Sequence, residues 1–600
     1  MSARKVGLLL VVVACLLLPY ATREAGSEEK PAAPQTGWAG SASCAACHPK
    51  INAQWQKTAH ANTIRWRKQD EAVDSARPFD GEVFRSRGIA HSLGPGPQME
   101  VEGPGGELRS FPVTGVVGVR RIQMFMTELD RGRLQVLPVY LEVPTRRWFD
   151  YADFIFGGPR HFEIPPDSSN SWYGPLRNFN SRCGECHMTG YDVGYDAGRG
   201  TYATRWQESV VGCESCHGPA AGHVAKWRKL ADGPDPIVNP ARLTVERSNQ
   251  TCGYCHAERE EVAAGFRPGD DLFAFTDVNG LEDQKHLHPD GRARELIHNL
   301  VPIMQSRCRP LGCTTCHDPH GSGAPGDLYY PEDPDRSCKS CHEQVTGRLT
   351  EHTKHKADST GSRCVACHMQ RLVIEGGHGK VYDHTISIPS PRNTQKHGVP
   401  NACRGCHPGE MPGWDAEHFN RLWPGAEERN HRTKLADAVA LGRARDPKAP
   451  ELLKPLLQSD NPVYRAGAAW MLGQFDTDLR PQLNDAHPMV RRAALSAVAP
   501  KHPEALEPLL QDPNTVLRRA AALQLALRPS YVGARPELRR LIPLLEALCR
   551  KRPDSRRPYK ALGYLFTMEG ETQKALEAYE RYLRLNPWDG AIRAAASRLK

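Results

Sequence analysis

The sequence predicts a chain in two parts: short helices and irregular loops wound around covalently attached groups, with a small β insert, and then an all-α solenoid. Three observations predict this. The pattern Cys-x-x-Cys-His occurs eight times between residues 44 and 407. Across residues 183–407 only 34 of 225 residues are Leu, Ile, Val or Phe, about 15% against the roughly 20% below which a chain starts to look disordered. Beyond residue 430 the texture turns Ala- and Leu-rich, with helical spacing.

The eight motifs name the attached group. They are Cys44-Ala-Ala-Cys47-His48, Cys183-Gly-Glu-Cys186-His187, Cys213-Glu-Ser-Cys216-His217 and Cys252-Gly-Tyr-Cys255-His256. The others are Cys313-Thr-Thr-Cys316-His317, Cys338-Lys-Ser-Cys341-His342, Cys364-Val-Ala-Cys367-His368 and Cys403-Arg-Gly-Cys406-His407. Together they use 16 of the 19 cysteines. Thiols at i and i+3 share one side of a helical turn and can form thioethers with the two vinyl groups of a haem. The following His turns its imidazole toward the iron as proximal ligand. A zinc site needs a closed set of four ligands and gives no reason for a His after every second Cys. A thioredoxin-like pair needs one motif beside a βαβ unit. The expectation is eight covalently attached haem c groups.

Haem also answers the shortage of aliphatic residues. Chain entropy must be offset by burial of apolar area. The porphyrin faces can supply the area that residues 183–407 lack, so the apoprotein is expected not to fold. Haem also revises the formal charge of +9. Sixteen propionates and eight ferric centres bring the oxidised protein to about +1 and the reduced one to about −7. The basic excess then reads as counter-charge for propionates, with Arg suited to bidentate pairing, and no nucleic-acid partner is expected.

Residues 1–26 read as a secretory signal. Arg4 and Lys5 precede an apolar run over residues 6–18, too short to span a bilayer comfortably. No other segment approaches that length, so the expected mature chain has no transmembrane segment and resides in the periplasm. Val12-Val13-Ala14-Cys15 resembles a lipoprotein box, which offers a lipid anchor at Cys15 as an alternative. Residues 27–40 are a Pro/Ala-rich linker.

Residues 41–410 form the expected haem domain. A helix is expected after the first motif, within 44–66. A β insert is expected at about 78–165, where Leu137, Val139, Leu141 and Val143 alternate with polar or small positions and Asp130–Arg133 marks a hairpin. Residues 411–430 read as a linker rich in Pro, Gly and Trp. Within 431–530 three units repeat an Asp–Pro element, an Arg and paired Ala, at Asp460, Asp485 and Asp512. These resemble HEAT repeats, with the Asp–Pro element capping a helix and the Arg pointing outward. Residues 536–600 resemble one tetratricopeptide unit through Gly563, Tyr564, Gly570, Ala575, Tyr579 and Pro587, a cap for the solenoid.

Function turns on the sixth iron position. A second His there gives a saturated, low-spin haem suited to passing electrons, and an open position admits a small molecule. Of the 25 His, eight are proximal and 13 more lie between His60 and His397, enough for mostly bis-His sites. His60, His223, His320, His355 and His384 are the distal candidates. His352 shares the segment Glu351-His-Thr-Lys-His355, so both need not ligate. His161, His298 and His397 have weaker contexts. Cys308 is read as structural, with a stray thiol, a disulfide partner or an iron ligand as alternatives, and the role of Cys549 is left open.

The segments Trp55-Gln-Lys-Thr-Ala-His60, Arg182-Cys-Gly-Glu-Cys-His-Met-Thr-Gly-Tyr191 and Cys213-Glu-Ser-Cys-His-Gly-Pro-Ala-Ala-Gly-His223 resemble the cytochrome c-552/c-554 group of multihaem cytochromes. Residues 307–321 resemble paired-motif multihaem proteins that carry C-terminal repeats. The resemblance implies stacked haem pairs, distal His donated from neighbouring motifs and periplasmic electron transfer. The expected function is a periplasmic octahaem electron carrier. Its tail would dock a redox partner, either another cytochrome or a membrane-bound quinone-linked complex. The alternative is a multihaem oxidoreductase acting on a small nitrogen or sulfur oxyanion at one open haem. The Cys-x-x-Cys-Lys variant of nitrite reductases is absent, and no Tyr is marked as a crosslinking residue.

Overall fold

The computed structural model describes residues 37–67, 75–76, 79–86, 89–94, 96–102, 107–156, 164, 170–196, 198–230, 232–294, 298–308, 311–373 and 380–600. The signal segment, Cys15 and His161 lie outside these residues.

The chain enters through two short helices, Ser41–Ala45 and Pro49–Trp55, with the first motif at their junction. The helix expected to carry His60 stops at Trp55. Thr58 Oγ1 donates to the Trp55 carbonyl and accepts from Ala61 N, which reshapes the chain into a 3₁₀ turn at His60–Asn62. His60 sits on that turn.

The β insert begins earlier than expected. Ile64–Trp66 already forms the edge of a six-stranded antiparallel sheet. Its order continues through Gly115–Val117, Ile122–Leu129, Val139–Glu142 and Arg147–Asp150, with Arg133–Val136 paired to Ile122–Leu129. A second, four-stranded sheet runs from Glu82–Ser86 to Leu108–Pro112. The hairpin at 130–132 has Arg131 and Gly132 at φ 65° and 71°. A Cβ on Gly132 would lie 2.3 Å from the Tyr202 carbonyl oxygen, so only Gly fits.

The period-two reading of residues 137–143 implied one wet face. Instead Leu137, Val139, Tyr140 and Leu141 are all fully buried. The second sheet, Trp172 and Phe179 cover the other side and close one apolar core. Burial raises the pKa of the Tyr140 phenol, and the Arg177 guanidinium beside it opposes that shift. This core carries the second haem motif: Asn178 caps Phe179–Arg182, and Asn180 Oδ1 accepts from Leu134 N at 2.7 Å.

Residues 183–407 contain short helices, none longer than nine residues among those described, with two-stranded ribbons. Among the described residues from 303 to 398, only Ala324, Leu372 and Val381 are buried hydrophobics.

The expected linker at 411–430 is helical. Trp414–Leu422 and Ala426–Arg429 form helices, with Phe419 and Asp415 buried. Gly413 and Gly425, both at positive φ, sit at the helix starts rather than in a loose tether. From His431 the chain is helical to its end, and its core extends into residues 257–301 of the haem part.

The three repeated units form helices at Pro462–Leu472, Pro488–Val498 and Thr515–Ala526. Their caps are Asn461, His487 and Asn514 rather than the preceding Asp residues. The repeated Arg does not point outward. Arg465 forms a two-pronged bond to Asp485 of the next unit, and Arg491 reaches Asp512 of the one after. The Asp thus joins neighbouring units, and the residue after it or the next one caps. Contacts to the haem part are specific: Arg432 donates to the Asp290 and Gln305 carbonyls, Arg443 to Leu281 and Leu287, and Asn514 to Phe273.

His487 makes one of these caps sensitive to pH. Its Nδ1 accepts from Met489 N, and burial lowers its pKa from 6.5 to about 4. The unfolded chain takes up this proton near pH 6.5 and the folded chain only near pH 4. Its contribution is therefore complete above pH 6.5 and lost as pH falls toward 4. His487→Asn keeps a capping acceptor without titrating. Thermal melts of the holoprotein should show the wild type losing about 3 kcal/mol more than His487→Asn over that interval. Parallel pH profiles would contradict the cap assignment.

Candidate haem-binding site

Each motif is wound into a helical turn. His48, His217, His256, His317, His342 and His407 donate their backbone N–H to the carbonyl of the first Cys of their motif at 2.8–3.1 Å. No disulfide joins any of the 18 described cysteines. Among the described residues no group of three or more His, Cys, Asp or Glu is placed to hold a bare metal ion.

The imidazoles come in facing pairs. Ring centroids are 6.3 Å apart for His60 and His256, 6.1 Å for His217 and His320, and 6.3 Å for His317 and His384. They are 6.1 Å apart for His352 and His368 and 6.5 Å for His355 and His407. A metal–imidazole bond is about 2.0–2.1 Å and a ring centroid lies about 1.1 Å from its nitrogen, so two imidazoles on opposite sides of one metal have centroids about 6.2 Å apart. Every pair has that separation, and every pair joins one motif His to one His from elsewhere. The residues present therefore fit a haem between two axial histidines.

The outer ring nitrogens support the fit. A ligating His is held by a hydrogen bond from its other N–H, usually to a carbonyl or carboxylate. Nδ1 lies against the Val238 carbonyl in His217 at 2.8 Å, Gly326 in His317 at 2.7 Å and Ser387 in His368 at 3.2 Å. Distal candidates do the same: His384 to the Tyr382 carbonyl at 2.9 Å, His355 to Thr353 at 2.6 Å and His223 to the Asp235 carboxylate at 2.8 Å. With Nδ1 as donor, Nε2 keeps its lone pair for a metal. Burial lowers the pKa values of His60, His217, His368 and His384 and that of His187 to about 4, which favours the neutral, ligating form.

Of the five distal candidates, His60, His320, His355 and His384 face a motif His. The sequence treated His352 and His355 as alternatives; the structure gives them different partners, His368 and His407. The signal was their i, i+3 spacing in a segment whose Lys354 adopts a left-handed conformation, φ 59°, so that the chain turns between them. His223 has its Nδ1 held and lies, with His48, close enough to His217 to lower its pKa. His298 Nδ1 is 3.0 Å from the Glu258 carboxylate. His397 is spent elsewhere, with Nε2 on Asp437 at 2.7 Å. His48, His187 and His342 have no imidazole at the pair separation among the described residues. The His187 Nδ1 is 2.6 Å from Thr63 Oγ1.

Attachment thiols of different motifs are neighbours. Cys44 and Cys213, Cys186 and Cys255, Cys252 and Cys313, and Cys338 and Cys364 lie close enough to shift one another's pKa. The neighbouring thiol is the main reason that Cys213 and Cys186 fall to about 7. Weaker electrostatic contacts link Cys216 to Cys252, Cys316 to Cys338, and Cys367 to Cys403 and Cys406. No motif is isolated from the rest. Cys549 is buried in helix Ile542–Lys551, and burial pushes its thiol up to about 12. Cys308 is half-buried, with its backbone N–H on Ser306 Oγ.

Comparison with known proteins leads to the same segments. Residues 43–83 and 170–218 match the family model described as cytochrome c554 and c-prime, and residues 310–347 match the doubled CXXCH motif. Over 159 residues the chain is 24% identical to the multiheme cytochrome MtrA of Shewanella baltica (strain OS185), a match covering 23% of this chain and 45% of that protein. The chain thus spans less than half the length of that relative. The crystal structure of the outer cell wall cytochrome OcwA superposes with a TM-score of 0.47 at 16% identity, covering 82% of this chain and 100% of that one. By its attachment motifs and these relatives, the chain is similar to multihaem c-type cytochromes, and haem c is the cofactor those motifs take.

Proposed function

We propose that the chain carries eight haem c groups, one on each Cys-x-x-Cys-His motif, and passes electrons among them outside the cytoplasm. The observation that carries this reading is the set of facing imidazoles at 6.1–6.5 Å, each joining a motif His to a second His. The distal ligands are His60 for the haem on His256, His320 for His217, His384 for His317, His352 for His368 and His355 for His407. His223, with Nδ1 held by Asp235 and lying, like His48, near His217, serves His48.

Haem, when bound, supplies a one-electron iron couple. The chain's own residues hold both axial positions, fix the imidazole tautomers through Nδ1 and shield the sites from water. Neighbouring thiols keep successive macrocycles close, and electron transfer falls off steeply with distance. The contacts order the path. Motif three joins motifs one and four, motif four also receives motif two, and the line continues through motifs five, six, seven and eight. Cys47, Cys341 and Cys406 are exposed, which gives the path edges accessible to a redox partner. The helical repeats, HEAT-like and then TPR-like, brace residues 257–305 and present their outer faces for docking. A periplasmic location agrees with the signal-like residues 1–26 and with the absence, among the described residues, of any helix long and apolar enough to cross a membrane.

His384→Ala tests the ligand assignment. The holoprotein should keep its full haem content and gain one high-spin ferric haem that added imidazole returns to low spin. Unchanged low-spin intensity at every haem would remove His384 from its role.

A further inference from the structure

A cleft of about 740 Å³ opens beside the second and fourth motifs, lined by Cys186, Cys255 and helices of the C-terminal half. Those helices contribute Arg519, Arg550 and Lys551. Lys551 is neutralised by Glu185 and Glu261. The remaining acids of the lining are also engaged. Glu214 accepts from Ala39, Gly40 and Ala220 N–H groups, and Asp192 is paired with Arg205. None of these carboxylates is hydrogen-bonded to Arg519.

Arg519 is the anomaly. Its Nε and Nη1 are sealed from solvent and have no hydrogen-bond partner. Its charged neighbours are both cations, Arg518 and Arg550, and together with burial they lower its pKa. Arg518 is turned away onto the Asp512 and Pro513 carbonyls. Two guanidinium groups therefore line the cleft, and among the described residues Arg519 forms no ion pair. A planar fork of this kind matches a carboxylate or similar oxyanion.

We infer that Arg519 and Arg550 form an oxyanion clamp supplied by the C-terminal half to the haem domain. A haem carries its vinyl and propionate edges on opposite sides. A haem attached at Cys186 or Cys255 would carry its propionates on the edge away from those thiols, and the cleft that those thiols line also holds Arg519 and Arg550. A free oxyanion entering the cleft would offer the same chemistry. The propionate form of the inference rests on the proposed haem attachment at Cys183–Cys186 and Cys252–Cys255.

The test is a redox titration of the full-length holoprotein and its Arg519→Gln and Arg519→Lys variants, in chloride buffer with and without nitrite. Haem content is measured first. A wild-type protein lacking haem at these motifs would refute the haem reading itself, apart from the clamp. If a propionate is the resident, Arg519→Gln lowers the midpoint potential of one haem whether or not nitrite is present. The lost cation favours the ferric state by about tenfold in the ferric-to-ferrous ratio, about 59 mV for one electron. Arg519→Lys, which keeps the charge and the helix packing, shifts it less. If the resident is a free oxyanion, the variants match the wild type in chloride, and nitrite raises the ferric population of one haem only in the wild type. Identical titrations of all three proteins in both buffers, with full haem content, would overturn the clamp.

Discussion

Denied haem, the stretch from residue 302 to 407 will not fold. A fully buried aliphatic or aromatic side chain stabilises by about 1.5–3 kcal/mol, and from 303 to 398 the described residues bury only Ala324, Leu372 and Val381. Fixing the backbone costs about 1–2 kcal/mol per residue. The deficit is far larger than polar contacts such as Arg363 to Asp335 can recover, since a partly exposed pair contributes about 1 kcal/mol or less. Polypeptide made without thioether attachment should be cut rapidly throughout this stretch under limited proteolysis. The helices of 431–600 should survive, because Leu435, Val439, Leu472, Leu495, Leu517 and Leu545 form an apolar core that needs no cofactor. Protection of 302–407 equal to that of the holoprotein would show that the macrocycles are not its core.

Removing the fourth attachment site should cut the path. Cys252 touches Cys313 and lies near Cys216, while Cys255 touches Cys186, so this motif joins the first three to the last four. A Cys252→Ala/Cys255→Ala protein should hold one haem fewer and fall into three parts, motifs one and three, motif two alone, and motifs five to eight, which exchange electrons orders of magnitude more slowly. Stopped-flow reduction should change from a single fast phase to a fast and a very slow one. Cys403→Ala/Cys406→Ala, at the end of the line, also loses one haem and should stay monophasic. Equal kinetics for the two variants would reject the junction.

Much of this was legible in the sequence, and the rest was not for identifiable reasons. The attachment residues are local: the pattern within five residues carries both thiols and the proximal imidazole. The selection of His60, His320, His355 and His384 as ligand candidates was legible from context, but which motif each faces is a tertiary fact. His60 crosses to His256, and His384 reaches back to His317. His352 was undervalued because spacing alone does not show that Lys354 reverses the chain. The β insert was visible through alternation at 137–143, yet Tyr140 is as buried as its neighbours, because a second layer covers the face that alternation assigned to water. Residues 411–430 misled through composition, since Gly413 and Gly425 mark helix starts there. Arg465 and Arg491 were read as exposed because a repeat viewed alone has no next unit for its Arg to bind.

Everything above depends on iron macrocycles held by these thiols between paired histidines. The most direct measurement is the covalent haem stoichiometry of the purified holoprotein by intact mass, read together with its ferric EPR spectrum. The account predicts eight haems per chain, with low-spin bis-imidazole signals for at least the five facing pairs. A chain whose mass shows unmodified thiols at these motifs, or whose haems are all high-spin, would contradict it.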